Sequence, residues 1–321
     1  MATEIKGNES TQKILLDALK SKKLASTLLF VGPEGVGKSL MAKYLAKSVN
    51  CLESDFNCCN RCNSCAKIEN LNHPDVHWIT SDDSGSIKIE QVRGIEGRIQ
   101  LRPYEAKKKV FIIVEAQDLT PEASNALLKT LEEPPQDSLI ILTSAHADQL
   151  LPTILSRCQR FFFSGLRPDV LEGILTSDYK LDEKLAHFLA YFSEGRIGKA
   201  IRFSQTDILK QRDDFLHNFL NSFSSQQYFD NNFFEDKKRL TEGLGVLVNW
   251  FRDILISKIG LGHSYLVNKD RSGEISALKE NYSLEDLQEI LEDIILTRRL
   301  LQQNINAKIS FSTLRAKICQ G

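Results

Sequence analysis

The 321-residue chain lacks any apolar run near the ~20 residues a membrane-crossing helix needs. That excludes an integral helical membrane protein. It also lacks a charge of one sign: 41 Lys and Arg stand against 42 Asp and Glu, a net −1. A global electrostatic pull toward nucleic acid or an anionic membrane is thereby excluded, so any such contact must come from a local patch. Met1–Lys6 is polar and carries no apolar signal core, so secretion is not expected and the chain is expected to be cytoplasmic. Internal repeats and low-complexity tracts are absent as well. Cysteine is sparse and unevenly spread: of seven, five fall between Cys51 and Cys65. A secreted disulfide scaffold does not look like this, and a cytosolic metal site does.

Positions 1–165 alternate short runs rich in Val, Ile, Leu and Phe with helical patterns. The apolar runs lie at 27–31, 76–79, 110–114 and 139–143. Such alternation predicts a mostly parallel sheet with helices on both faces. Phe161–Phe163 reads as one further buried strand. Beyond about residue 165 the strand signals stop. Short helices are expected over 168–203, then a polar stretch at 221–236, then long amphipathic helices. One of these opens at Ser283 with Asp286 as its capping-box partner, and Leu284, Leu287, Ile290, Leu291, Ile294 and Leu301 hold one face. The fold class is therefore α/β followed by all-α. The expected domains are 1–165, a small helical domain over 166–207, and a helical bundle over 208–321.

Gly32-Pro33-Glu34-Gly35-Val36-Gly37-Lys38-Ser39 matches the phosphate-binding pattern G-x-x-x-x-G-K-[ST]. It stands between a strand and a helix, the context the motif requires. Its glycines let successive N–H groups curl around a phosphate chain, and the following helix adds positive potential. Lys38 is expected to reach the β- and γ-phosphates, and the Ser39 hydroxyl to ligate Mg²⁺. Hydrolysis needs more: an acidic pair at the end of a later strand. After the strand at 110–114 that pair would occupy positions 114 and 115. Val114 stands at the first, and Glu115 and the displaced Asp118 are the only acids there. Binding of ATP or ADP is better supported than turnover.

Cys51, Cys59, Cys62 and Cys65 form C-x7-C-x2-C-x2-C, within a module spanning about 51–66. Two-residue spacings let thiolates from tight turns face one Zn²⁺, and four thiolates leave no open catalytic position. A structural zinc is expected. Cys58 is a fifth candidate, but only Cys59 keeps the regular spacing to Cys62. Between Lys88 and Lys109, seven basic residues stand against three acids, a patch that suits either a phosphate backbone or a solvated helix face.

Together these motifs resemble a family. A phosphate loop followed by a cysteine knuckle, then Asn72-His73-Pro74-Asp75, Arg102-Pro103-Tyr104-Glu105, Asn125 through Pro135 (NALLKTLEEPP) and Leu155-Ser156-Arg157-Cys158 resemble the bacterial DNA polymerase III clamp-loader subunits of delta-prime type, which are AAA+ proteins. Asn304-Ile305-Asn306 is similar to a signature of their C-terminal domain. The resemblance implies an AAA+ domain with a zinc knuckle, a helical lid and a helical collar. It implies partners too: gamma/tau and delta subunits in a hetero-pentamer, the sliding clamp, and primer-template DNA reached through the complex. It also implies that Arg157 acts as a finger in trans on a neighbour's γ-phosphate. Glu115 is the residue that would serve any hydrolysis in this chain. The arginine that senses nucleotide in the gamma/tau lid falls on Gly198 here, with Arg196 two residues away. With Val114, this implies a subunit that assists hydrolysis next door. The alternatives are an active AAA+ ATPase, either gamma/tau-like or a standalone remodeller, and a zinc-dependent DNA-binding module.

Overall fold

A computed structural model describes residues 5–221, 236–302 and 306–320. The chain divides into two units, one of residues 1–166 with 196–198 and one of 167–195 with 199–321.

The first unit is built on a five-stranded parallel sheet in the order β2-β3-β4-β1-β5. The strands are β1 (Thr27–Val31), β2 (Val76–Ile79), β3 (Lys109–Ile113), β4 (Ser138–Ser144) and β5 (Gln159–Phe162). The three central strands are buried at nearly every position because helices cover both faces. On one face lie α1 (Glu9–Lys20) and α2 (Lys38–Asn50), where Leu15, Met41 and Leu45 pack on Leu28, Phe30 and Ile112. A short helix, α3 (Asn63–Glu69), follows α2. The other face is covered by α4 (Ile89–Ile99), α5 (Pro121–Glu132) and the single turn α6 (Pro152–Leu155). There Val92, Ile95, Ala123 and Leu127 pack on Phe111 and Ile140.

Local rules explain the ends of α5. The Thr120 hydroxyl accepts from Ala123 N–H, Pro121 sits at the first position, and Glu122 lies in the first turn, where the helix dipole favours it. The helix stops at Glu132, ahead of Pro134. At β5 the structure corrects the reading of Phe161–Phe163 as uniformly buried. Phe161 and Phe163 are buried, but Phe162 is 65% exposed. An edge strand keeps the alternation of period two, and its outer face has no helix over it.

The second unit is helical: α7 (Pro168–Ser177), α8 (Glu183–Phe192), α9 (Ile197–Ser204, whose first two residues group with the sheet), α10 (Ile208–Asn221), α11 (Lys237–Lys258), α12 (Ser272–Leu278), α13 (Leu284–Gln302) and α14 (Ala307–Gln320). α11 packs along α13. Ser283 and Asp286 exchange hydrogen bonds at 2.7 and 3.0 Å, a capping box as expected. Leu287 and Ile294 are fully buried and Ile290 nearly so, whereas Leu284, in the first turn, is exposed and does not join the core face. A buried polar network ties the 266–270 segment to this unit. Asp253 accepts from the N–H groups of Val267 and Asn268 at 2.9 and 2.7 Å, and Arg212 pairs with Asp270. The polar stretch expected at 221–236 lies almost wholly outside the described residues, as do Asn304 and Ile305. Asn306 accepts at its side chain from Ile309 N–H at the start of α14.

Candidate functional site

The phosphate loop leaves the carboxyl end of β1. Its first residue is held by both neighbouring strands: Gly32 N–H donates to Ser144 O at 3.0 Å, and Phe163 N–H donates to Val31 O at 2.7 Å. Gly35 and Gly37 adopt φ of 83° and 99°, the left-handed region that glycine enters without a Cβ penalty. Gly37 caps α2, a helix of 13 residues, so the loop's N–H groups and the helix amino end converge on one point. Val36 is buried in the core and pins the loop from below, and Ser39 lies half-buried in the first turn. This cradle fits a phosphate chain.

Lys38 is 4% exposed. Its ammonium donates to Gly32 O at 2.6 Å and Pro33 O at 3.1 Å, and pairs with Glu115 Oε1 at 3.2 Å. Burial lowers the Lys38 pKa, and the Glu115 charge opposes that. Glu115 follows β3 in a left-handed turn with φ 52°. Its second oxygen accepts from Gln117 Nε2 at 2.8 Å and from Ala145 N–H at 2.9 Å. Its own N–H donates to Thr143 Oγ1 at 3.0 Å, and Ser144 Oγ bonds Gln117 Oε1 at 2.7 Å. The structure thus brings Lys38 and Glu115 together and adds Gln117, Thr143 and Ser144, which sequence reasoning missed. The available signal was a pair of hydroxyl residues ending the otherwise apolar β4 run. Its meaning depends on β4 lying beside β1, which no local pattern states.

Val114 turns its side chain partly into the α2-side core and donates its N–H to Ile79 O at 2.9 Å, so position 114 contributes no carboxylate beside Glu115. Asp118 lies one turn on, its pKa raised by burial and by the Glu115 charge. The residues present fit a nucleotide's phosphates, and Ser39 offers one Mg²⁺ ligand, but the acid that usually helps hold that ion is missing. Gly198 N–H donates to Gly35 O at 2.8 Å, and a Cβ on Gly198 would lie 3.1 Å from Gly35 Cα. A glycine backbone therefore meets the phosphate loop at the position assigned to a sensing arginine.

The sulfur atoms of Cys51, Cys59, Cys62 and Cys65 lie within 4.8 Å of one another. Zn–S bonds of about 2.3 Å set tetrahedral sulfurs about 3.8 Å apart, so the donor set fits a zinc ion. Cys59 N–H points at Cys51 Sγ (3.4 Å), Cys62 N–H at Cys59 Sγ (3.2 Å) and Cys65 N–H at Cys62 Sγ (3.5 Å), contacts that favour thiolates. Cys58 packs beside the cluster but is not one of these four, and its Sγ lies 3.4 Å from Asn60 Oδ1.

The cysteine module is tied to the segment before β3. Asn50 exchanges two hydrogen bonds with the Lys108 backbone at 2.9 and 3.0 Å, Lys67 pairs with Glu105, and Lys107 with Asp55. The same segment is held by buried Asp75, which accepts from the N–H groups of Tyr104, Glu105 and Ala106 at 2.8–3.0 Å. The two motifs around His73 and Tyr104 are thus the two halves of one anchor. Of the seven basic residues between Lys88 and Lys109, Lys88 pairs with Asp82, Lys107 with Asp55, and Lys109 is buried on Arg98 O. Arg93, Arg98 and Arg102 stay exposed.

Arg157 sits at the opposite end of the sheet from the phosphate loop. Its carbonyl accepts from Thr27 Oγ1, at the amino end of β1, at 2.7 Å. The length of β1 alone separates that point from the loop by about 13 Å, at ~3.3 Å per residue. The guanidinium donates to Thr153 O at 3.1 Å and makes a long pair with exposed Glu132 at 3.4 Å, and its buried Nε has no partner. Arg157 and Lys38 are therefore not brought together within this chain. Among the described residues no helix is long and apolar enough to cross a membrane.

Residues 7–167 match a family described as DNA polymerase III, delta subunit, and residues 206–314 match its C-terminal counterpart. The chain is 31% identical to DNA polymerase III subunit delta' of Bacillus subtilis, over 92% of this chain and 91% of that one. It is 30% identical to the tau subunit of the same organism, of whose length it spans 61%. Among solved structures, a gamma subunit-related protein of Thermotoga maritima aligns over 97% of this chain and all of its own with a TM-score of 0.50 at 18% identity, a likeness of fold. On the whole-length match to delta', the two consecutive delta-subunit regions and the P-loop sheet with its helical continuation, this chain belongs to the delta' family of DNA polymerase III subunits.

Proposed function

We propose that this protein is a clamp-loader subunit that helps place the sliding clamp on primed DNA, completing a neighbour's ATPase site while hydrolysing little ATP itself. The observation that carries the reading is polarity along the sheet. A phosphate cradle lies at the carboxyl ends of the strands and Arg157 at the amino ends. A chain with both features can receive a nucleotide at one end and offer a guanidinium at the other, so in a ring each subunit serves the next. Arginine suits that task because its fork is always charged and can bind phosphate oxygens bidentately.

Within the cradle, Lys38 and the glycine N–H groups would hold the phosphates and Ser39 would ligate Mg²⁺, which supplies charge neutralisation when bound. This chain's own residues argue for slow turnover. Val114 offers no carboxylate, and both Glu115 oxygens are engaged by Lys38, Gln117 and Ala145. The cysteine module would hold a structural zinc and fix the segment before β3. The partners on this reading are gamma/tau and delta subunits in a hetero-pentamer, the clamp and primer-template DNA, in the cytoplasm. Residues 166–207 would form the lid and 208–321 the collar.

ATP turnover of a loader reconstituted with gamma/tau, delta, clamp and primed DNA tests this. Arg157→Ala is expected to slow the complex by about 10³-fold or more, in the range of other arginine fingers, while the chain alone stays nearly inactive. Brisk turnover by the isolated chain, with a complex indifferent to Arg157→Ala, would make this an ATPase in its own right.

A further inference from the structure

Among the described residues the sheet ends at β2, which pairs only with β3. Its outer edge is partly open: Val76 N–H is taken by His73 O at one end, while His77 and Trp78 are half-buried. Beside it runs a groove of about 690 Å³, lined by β2 residues 76–79 and Phe111 and walled by α4 and the 71–74 turn. The backbone geometry sets what this edge offers. The carbonyls of Asp75 and Ile79 face β3, accepting from Val110 and Val114. Strand alternation then turns the N–H and C=O of Trp78 outward.

Two further groups beside the groove want acceptors. His73, whose side chain is 1% exposed, accepts from Asp75 N–H at Nδ1, so its neutral ring carries the proton at Nε2. That Nε2 makes no hydrogen bond, its nearest carboxylate oxygen being Glu105 Oε1 at 3.6 Å. Arg98 is exposed and touches only the His77 ring, at 3.4 Å, with no carboxylate paired to it among the described residues. Glu90, the acid on the groove wall, lies at the other end of α4.

Gly94 leaves room on the groove wall, as Gly97 does on the helix away from it. A glycine inside a helix costs about 1 kcal/mol relative to alanine. A Cβ there would meet nothing within 4 Å, so no internal packing calls for its absence. A bare helix turn facing an open groove suits a second backbone that approaches closely.

We propose that the groove along β2 docks an extended, acidic segment of a partner protein as a sixth strand, with a carboxylate at Arg98. Main-chain bonds to Trp78 supply the affinity, the open face of Gly94 admits an alternate side chain, and the donor-rich end selects acid over base. The partner carries an Asp or Glu toward the amino end of β2 and a neutral or basic residue opposite Glu90.

The test is anisotropy of a fluorescein-labelled peptide of alternating valine and threonine, with a central phenylalanine and two aspartates at one end, added to the full chain. Saturable binding is expected. Arg98→Glu should weaken it at least about tenfold, and a peptide with lysines replacing the aspartates should recover on that variant. Gly94→Leu fills the groove while favouring the helix. It should weaken binding comparably with an unchanged or higher melting temperature. N-methylating alternate amides of the peptide should abolish binding. Absence of saturable binding, or binding indifferent to Arg98→Glu and N-methylation, overturns the proposal. So does a primed duplex that displaces the peptide and itself loses affinity to Gly94→Leu, which would assign the groove to nucleic acid.

Discussion

A Cβ on Gly32 would stand 2.1 Å from the Phe163 carbonyl oxygen, closer than any real Cβ contact, and the residue's φ of 155° lies at the edge of the range side chains rarely adopt. Gly37, by contrast, has open space around its missing Cβ and carries only the cost of φ 99°. Gly32→Ala is therefore expected to destabilise the first unit by about 1–3 kcal/mol through overpacking, and Gly37→Ala by about 1 kcal/mol through backbone strain alone. Urea denaturation of both variants checks the order. Asp75 offers a second residue-scale test. Burial raises its pKa, but the N–H groups of Glu105, Tyr104 and Ala106 outweigh burial and hold it below 3.8. A carboxyl with a depressed folded pKa contributes stability above its unfolded pKa and loses it as pH falls through the folded value. Asp75→Asn should cost about 1.5–3 kcal/mol at pH 7, the scale of hydrogen bonds to a charged group. The gap from wild type should close below about pH 4. A constant gap down to pH 2 would mean that shape, not charge, holds the 104–106 segment.

At the scale of elements, the cysteine module and the segment before β3 form one mechanical piece, joined through Asn50, Lys67 and Lys107. Wild type and Cys58→Ser should each carry a single zinc equivalent by metal analysis, whereas Cys59→Ser and Cys62→Ser should lose it. Metal removal should then raise hydrogen exchange not only at 51–65 but across 101–108. Exchange confined to the cysteines would break the link. Much of this scale was legible in the sequence. Apolar runs near 110–114 and 139–143 became β3 and β4 within a residue at each end, and Ser283 caps the helix its neighbours announced. Those signals are local. What stayed hidden depends on spatial order. The hydroxyls of Thr143 and Ser144 acquire meaning only because β4 lies between β1 and β3. Phe162 looked like core because an edge strand and a central strand share the same residue types. The helix at Glu9–Lys20 passed unremarked because its amphipathic pattern is short and its N-cap makes no side-chain bond. Asp75 showed in sequence as part of a motif, but its three N–H partners lie about thirty residues on, as no spacing rule foretells.

Across the whole molecule, the parallel sheet keeps the phosphate loop and Arg157 apart. Every strand runs the same way, so loops that leave carboxyl ends gather at one edge and those that enter amino ends gather at the other. Lys38 belongs to the first set and Arg157 to the second. An arginine placed to stabilise its own chain's nucleotide would have to project from the carboxyl end, and this one is anchored through its carbonyl to Thr27. The two residues should therefore separate cleanly by assay. Lys38→Ala should weaken ATP-analogue binding to the isolated chain at least about tenfold, since it removes a buried charge-assisted contact worth more than 1.4 kcal/mol. Arg157→Ala should leave that binding within about twofold while slowing turnover of the assembled loader. Hydrogen exchange adds a spatial check. A bound analogue should protect the phosphate loop and the 143–145 and 115–117 turns that contact it through Glu115, and should leave 153–158 unchanged. If Arg157→Ala weakened the isolated chain's own nucleotide binding as much as Lys38→Ala does, the two ends would be coupled within one subunit. The trans assignment would then fail even if the assembled loader slowed.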